Sequence, residues 1–400
     1  MKRNLDTLAG REHDLAIIGG GFFAACAAWD ASLRGLSVAL IERGDFGGAT
    51  SAHSFKMVHG GIRYIQHADF RRMRESSGER RALLRIAPHL VNPLPIVIPT
   101  YGHGIKGKAA LQIGASIFDC ITSDRNRGLD DPDRRVPRSR ALSKQEVLSR
   151  FNGLRKEGLT GAVIFADAQM YNPPRLVLSV LRSAADAGAA VANYVEATAF
   201  LREGNRIRGV RAHDSLTGSD FDIRARVTLN AAGPYAEHLL AERLGVNLEP
   251  RGTYSRDASF VVARRLLDGD HGLAVLGRTR DPDAIFSRGQ RHLFIVPWRD
   301  YTLIGVWHRV HDAHPDTFTS GRNATHRFVT GNQWISHAGE CRHATVIQEL
   351  LGAGADAGPF DVDQHFTRAR GRDLEVAKTQ FARFLEDDSS RLDMLANPPG

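Results

Sequence analysis

Apolar positions in the first fifty residues fall into short blocks of distinct character. Asp14–Ile18 (DLAII) is a β-branched run that predicts a strand, and it ends in Gly19-Gly20-Gly21. The alanine-rich stretch that follows predicts a helix from Phe22 to Leu33, stopped by Gly35. Leu36–Ile41 (LSVALI) then predicts a second strand, closed by Glu42. Further along, Pro174–Ala187 predicts a helix that ends at Gly188 and feeds a strand over Ala190–Tyr194. Residues 191–229 alternate as a β-meander with turn signals at Gly204-Asn205 and Thr217-Gly218. Its last piece, Arg226–Leu229, runs into Asn230-Ala231-Ala232-Gly233-Pro234. Apolar alternation returns around Phe260–Val262 and Leu293–Val296.

Composition narrows the class. The 400 residues suit two domains, consecutive or interleaved, and 42% hydrophobic with 24% charged residues is ordinary for a soluble globular chain. Three scattered cysteines without a CxxC argue against a disulfide scaffold or a thiolate metal cluster and fit a reducing compartment. No metal site is expected. Neither a spanning helix nor a secretory signal is expected, so the expected location is the cytoplasm, with peripheral contact on the inner face of the membrane as an option. The net charge of +8 is compatible with anionic substrates, acidic lipid or nucleic acid. Lys and Arg are spread along the chain without an aromatic-interleaved stripe, so nucleic acid is not an expected partner.

The glycine run between strand and helix carries chemistry. Gly19 allows a tight turn, Gly21 lets backbone approach a pyrophosphate, and Ala24 at the third place lets the helix pack close to the strand. Free N–H groups at the helix start then neutralise phosphate charge. Glu42, at the end of the second strand, can accept hydrogen bonds from a ribose, which favours FAD or NAD over NADP. The segment from Gly44 to Phe70 follows at once. Its Thr50, Ser51 and Ser54 suit a loop and helix start along an extended cofactor, and Met57, Val58, Ile62, Tyr64 and Ile65 alternate as if half buried.

The run A-T-S-x-x-S-x-K-x-x-H-G-G-x-R-Y at Ala49–Tyr64 resembles the FAD-dependent glycerol-3-phosphate dehydrogenases of the glycine/D-amino-acid oxidase superfamily. The resemblance continues through Glu79-Arg80, Ala87–Leu90, Asp167, Arg175-Leu176, Asn230–Pro234, Val296–Trp298 and Leu303–Gly305, about residues 12–308. It implies an α/β fold: a Rossmann-like FAD-binding domain (12–92 plus 160–250) interleaved with a mixed or antiparallel-sheet substrate domain (93–159 plus 251–310). It implies FAD contacts at Gly19, Gly21, Glu42, Thr50, Ser51, Ser54 and Lys56, with Val195 facing the adenine and Ala232-Gly233 closing over the cofactor. The implied reaction is oxidation of sn-glycerol 3-phosphate to dihydroxyacetone phosphate by hydride transfer to flavin, with a quinone or oxygen as final acceptor.

At the substrate end, Arg63 is the candidate anchor for a phosphate, since a guanidinium offers a fork of donors, and Tyr64 can add a hydroxyl bond. A surface or structural ion pair is the alternative for Arg63. His59 reads as a base, as a group polarising the flavin, or as a buried structural histidine. Lys56 suits a place near the flavin. An amine or D-amino-acid oxidase, in which Arg63 would hold a carboxylate, and a flavin-binding protein without turnover are the competing functions.

The resemblance breaks at the lining and in the tail. Arg256-Asp257-Ala258-Ser259 stand where the family commonly has Lys-Gly-Ser-His, and Val306-Trp307-His308 where it has Thr-Thr-Asp. No Gly-x-Arg-Pro occurs between 309 and 400. Residues 311–400 are therefore expected to be an atypical, non-native or poorly ordered segment, with a rebuilt cap, a reading-frame change or a degenerate flavoprotein as the readings. Helices are expected there at Val346–Gly352 and Arg372–Leu385, and the His308, His311, His314 cluster is read as exposed loop.

Overall fold

The computed structural model describes residues 1–104, 107–151, 153–246, 255–280, 290–310, 329–330 and 333–334. The expectations for the tail beyond residue 310 lie outside the described residues, as do the side chains of Trp307 and His308.

Two sheets organise the chain. In the first, β1 (His13–Ile18) lies between β2 (Val38–Glu42) and β10 (Ser219–Asn230), and β7 (Ala190–Asn193) flanks β2; all three pairings are parallel. The antiparallel hairpin strands β9 (Arg206–Asp214) and β8 (Val195–Glu203) complete the order β7-β2-β1-β10-β9-β8. Every residue of β1 after Asp14 is buried, because both faces of the strand are covered. Leu15 and Ile17 meet helices α2 (Phe22–Leu33) and α7 (Pro173–Asp186), while Ala16 and Ile18 meet the meander and Leu8 of α1 (Leu5–Ala9). Ala24, Ala25, Ala28 and Ala31 are fully buried, so α2 seats closely against strand and neighbouring helix.

Two expected boundaries shift by more than one residue. The second strand starts at Val38 rather than Leu36, because Gly35 turns at φ +82° and Ser37 is held by Asp14 through its amide and hydroxyl. The strand expected at Arg226–Leu229 is the end of the much longer β10, whose earlier half pairs with β9 and whose later half pairs with β1. Helix α2 has the expected limits.

The larger sheet has the order β16 (Gln333–Trp334), β15 (Val329–Thr330), β11 (Ser255–Val262), β14 (Tyr301–Val310), β13 (Gln290–Trp298), β12 (Gly272–Arg280), β4 (Val91–Tyr101), β6 (Leu159–Met170), β3 (Met57–Val58), with β5 (Arg140–Leu142) also on β6. Its longest pairing is the antiparallel one between β4 and β6, and β12 joins β4 in parallel. The expected domain boundary at residue 160 falls at the start of β6, whose partners lie in this larger sheet. On one face Val97, Ile164, Leu273 and Ile295 pack against α6 (Lys144–Arg150). On the other face Ile96, Phe165, Ala274, Phe294 and Val296 pack against Phe55, Met57 and Ile62, so the segment after the glycine cradle lies on the sheet.

Candidate active site

The cradle is built where β1 ends. Gly19 adopts φ +115°, and a Cβ there would lie 2.5 Å from the Ala231 carbonyl oxygen, so only glycine fits between the β1 and β10 ends. Gly21 caps α2 without a side-chain hydrogen bond, which leaves the first-turn N–H groups facing a cleft; the Phe22 amide donates to Ser51 Oγ at 3.0 Å. The Glu42 carboxylate accepts from the Gly20 amide at 2.6 Å and from the Gly44 amide at 2.8 Å. The cleft, about 230 Å³, is lined by Gly19, Gly21, Glu42, Thr50, Ser51, Val195, Ala232 and Gly233 among others. Eight of the expected cofactor residues thus come together. Ala24 does not line the cleft; it is buried beneath it in α2. Arg43 stacks on the Tyr235 ring at 4.2 Å, and both line the cleft. Sequence reasoning passed over this pair, because nothing local links two residues so far apart in the chain.

A narrow, glycine-walled cleft that runs from open helix amides to a carboxylate fits a dinucleotide laid lengthwise, with pyrophosphate at α2 and a ribose at Glu42.

Ser54 and Lys56 lie outside that cleft. Lys56 adopts φ +62°, donates from Nζ to the Ser54 and Ala52 carbonyl oxygens at 3.1 and 3.4 Å, and stands over the Trp298 ring at 5.0 Å. Burial, aided by the nearby Arg299 charge, lowers its pKa to about 8. A left-handed lysine held this way is a strained arrangement maintained by its surroundings.

The short strand β3 (Met57–Val58) pairs antiparallel with β6, Met57 opposite Gln169 and Val58 opposite Ala168. This register sets His59 beside Asp167. Asp167 Oδ2 lies 3.1 Å from His59 Nδ1, while Oδ1 accepts from the Gly60 amide at 2.6 Å and from Arg80 Nη1 at 2.9 Å. Arg80, on α4 (Phe70–Ile86), is fully buried and also donates to the Ala166 carbonyl at 2.7 Å. Burial opposes charge on Asp167, but the His59, Arg80 and Gly60 donors outweigh it and keep the carboxyl below its usual range. His59 is raised above the ordinary imidazole value: burial works against the cation, and the Asp167 hydrogen bond and charge prevail. An ionised Asp167 orders Nδ1 as the donor and turns Nε2 toward other partners; the His59 side chain remains 62% exposed.

Arg63 is exposed, in a 3₁₀ turn over Ile62–His67, and its charge acts on both His59 and His292. Tyr64 is half-buried in the same turn. His292, on β13 (Gln290–Trp298), was not among the candidates; a lone histidine in an apolar strand carries no local signal.

Residues 14–333 match the family described as FAD dependent oxidoreductase. Among curated proteins, the chain is 31% identical over 365 residues to the mitochondrial glycerol-3-phosphate dehydrogenase of Macaca fascicularis, covering 85% of this chain and 46% of that one. It is 33% identical over 328 residues to glycerol-3-phosphate dehydrogenase of Synechocystis, covering 78% and 55%. Among solved structures, glycerol-3-phosphate dehydrogenase from Bacillus halodurans complexed with FAD superposes with a TM-score of 0.56 at 24% identity, over 77% of this chain and 50% of that one. The chain spans about half the length of these curated relatives. With the matched family extending from β1 to beyond β14 (Tyr301–Val310), this chain belongs to the FAD-dependent oxidoreductases, and its cofactor is FAD.

Proposed function

We propose that the protein oxidises sn-glycerol 3-phosphate to dihydroxyacetone phosphate. The observation that carries this reading is the His59–Asp167 pair with the Arg63 charge acting on it, on the segment that leaves the glycine cradle. When bound, FAD would supply the acceptor for the hydride of the secondary alcohol carbon. Asp167 fixes the His59 ring through Nδ1, so that Nε2 is available to take the hydroxyl proton. Arg63 neutralises the anionic end of the substrate and fixes its direction. Gly19, Gly21, Glu42, Thr50, Ser51, Val195, Ala232 and Gly233 would hold the dinucleotide, and Lys56 would supply a cation to it. The relatives named glycerol-3-phosphate dehydrogenase, at 31–33% identity, support this substrate class. Quinone or oxygen is the proposed final acceptor. Among the described residues no helix is long and apolar enough to cross a membrane.

The test is anaerobic absorbance spectroscopy of FAD-loaded protein. Bleaching of the flavin by glycerol 3-phosphate supports the reading. Bleaching by glycine or D-amino acids, with none by glycerol 3-phosphate, replaces it with amine oxidation.

A further inference from the structure

We propose that residues 233–245 form a lid on the FAD cleft, held shut by two side-chain latches that part to admit and release the cofactor. The inference rests on the cofactor alone and stands apart from the substrate named above.

The segment is a 3₁₀ turn, Gly233–Tyr235, followed at once by helix α8 (Ala236–Leu244). Its Tyr235, His238, Leu239, Glu242 and Arg243 line the cleft. No residue of α8 is fully buried, and Leu239 packs only partly against the core of the first sheet. A nine-residue helix is marginal by itself, and one that buries so little draws little from packing. Its position therefore depends on ties to its neighbours.

Both flanks are built to turn. Gly233 adopts φ +57° and Gly245, the C-cap of α8, adopts φ +66°, and a Cβ at either would meet nothing within 4 Å. Element-terminal residues of this kind absorb the backbone change of a hinge. Asn230 Nδ2 donates to the Ala236 carbonyl at 2.9 Å, which gives the first hinge a fixed point at the end of β10. The latches lie beyond the hinges. Strands β2 and β10 flank β1, so the stack of Arg43, just past β2, on Tyr235 at 4.2 Å spans from one side of the β1 end to the other. At the far end of the helix, Arg243 Nη2 donates to Glu196 Oε1 at 3.2 Å and ties α8 to β8. All four residues line the cleft. Arg43 and Arg243 are exposed, where such contacts hold weakly: they favour the shut lid and still let it open.

The experiment follows FAD by stopped-flow fluorescence in the full chain, with association to flavin-stripped protein and release from FAD-loaded protein measured separately. Tyr235→Ala is expected to raise both rate constants about fivefold, because the lid stands open more often, while Kd changes less than either rate. Tyr235→Phe, which keeps a ring for Arg43, should stay close to the unsubstituted protein. Arg243→Glu should raise both rates about threefold, and Glu196→Arg combined with Arg243→Glu, which restores the pair in reverse, should bring them back. Faster release without faster association would mean that these side chains only touch FAD, and would overturn the lid. Unchanged rates in Tyr235→Ala, or a reversed pair that exchanges as fast as Arg243→Glu alone, would overturn it too. Exchange rates that respond as expected in a protein whose flavin glycerol 3-phosphate does not bleach would keep the lid and reject only the substrate.

Discussion

Gly60 rests directly on the guanidinium of Arg80: a Cβ on Gly60 would overlap the guanidinium carbon and stand 2.8 Å from Nη2. That arginine is fully buried, and Nη2 makes no hydrogen bond among the described residues, so it has little room to move. The backbone amide of the same glycine holds Asp167 at 2.6 Å. A single glycine therefore sets the spacing of His59, Asp167 and the buried cation.

Gly60→Ala is expected to displace the guanidinium or the β3 backbone and to destabilise the protein by about 1–3 kcal/mol, as overpacking does. Urea denaturation measures the loss. Flavin reduction by glycerol 3-phosphate should slow as well, because the amide that positions Asp167 moves with the backbone. Unchanged stability and rate would show that the glycine is dispensable.

Asp167→Asn should lower kcat about a hundredfold, the usual worth of a positioned acid or base. The sign of the pH effect follows from the direction of the shift. Asp167 raises the His59 pKa, so if His59 is the base its free form is lost as pH falls through a value above the ordinary imidazole one. Without the carboxylate, burial and the Arg80 and Arg63 charges all lower that pKa, and the acidic limb of the kcat profile should move to lower pH. A limb that stays in place would show that another group titrates.

Arg80→Met leaves Asp167 buried without its arginine partner, with His59 alone on the other oxygen. Breaking one side of a buried pair costs on the order of 3–5 kcal/mol. The same substitution removes one of the donors that keep the carboxyl acidic. Thermal denaturation at pH 7 and pH 5 should show the variant melting lower at both.

Lys56 gives a different signature. Its pKa is depressed to about 8, so folding favours the neutral amine and the cation is lost as pH rises through that value. Stability that is withheld while the folded lysine is charged should be recovered between about pH 8 and the ordinary lysine range near 10.4. Where the cation serves the reduced flavin, the rate of reduction should fall over the same window, and Lys56→Met should abolish that limb. A pH-independent rate in the unsubstituted protein would separate Lys56 from the flavin.

Much of the first sheet was legible because its signals are local. The β-branched run, the glycine turn, the alanine helix and Glu42 stand within thirty residues, and each has one physical reading. Gly204-Asn205 and Thr217-Gly218 likewise mark hairpin turns whose geometry is set by the turn itself. The larger sheet was less legible, since β6 pairs with β4, β3 and β5 from three separate stretches and nothing in Leu159–Met170 names its partners. The same holds in the site. Thr50 and Ser51 stand in a recognisable motif, but the meeting of His59 with Asp167 depends on the register of β3 against β6.

The join between β1 and β10 has a consequence for how the molecule comes into being. Ala231 donates its amide to the Ile18 carbonyl at 2.9 Å, and its own carbonyl closes down on Gly19. A nascent polypeptide that has emerged only as far as β9 has the phosphate loop but lacks the second jaw. Closure of the cleft thus waits until residue 231 has been made, and a bound dinucleotide would then act as a clasp between the first and the last strand of its sheet in chain order.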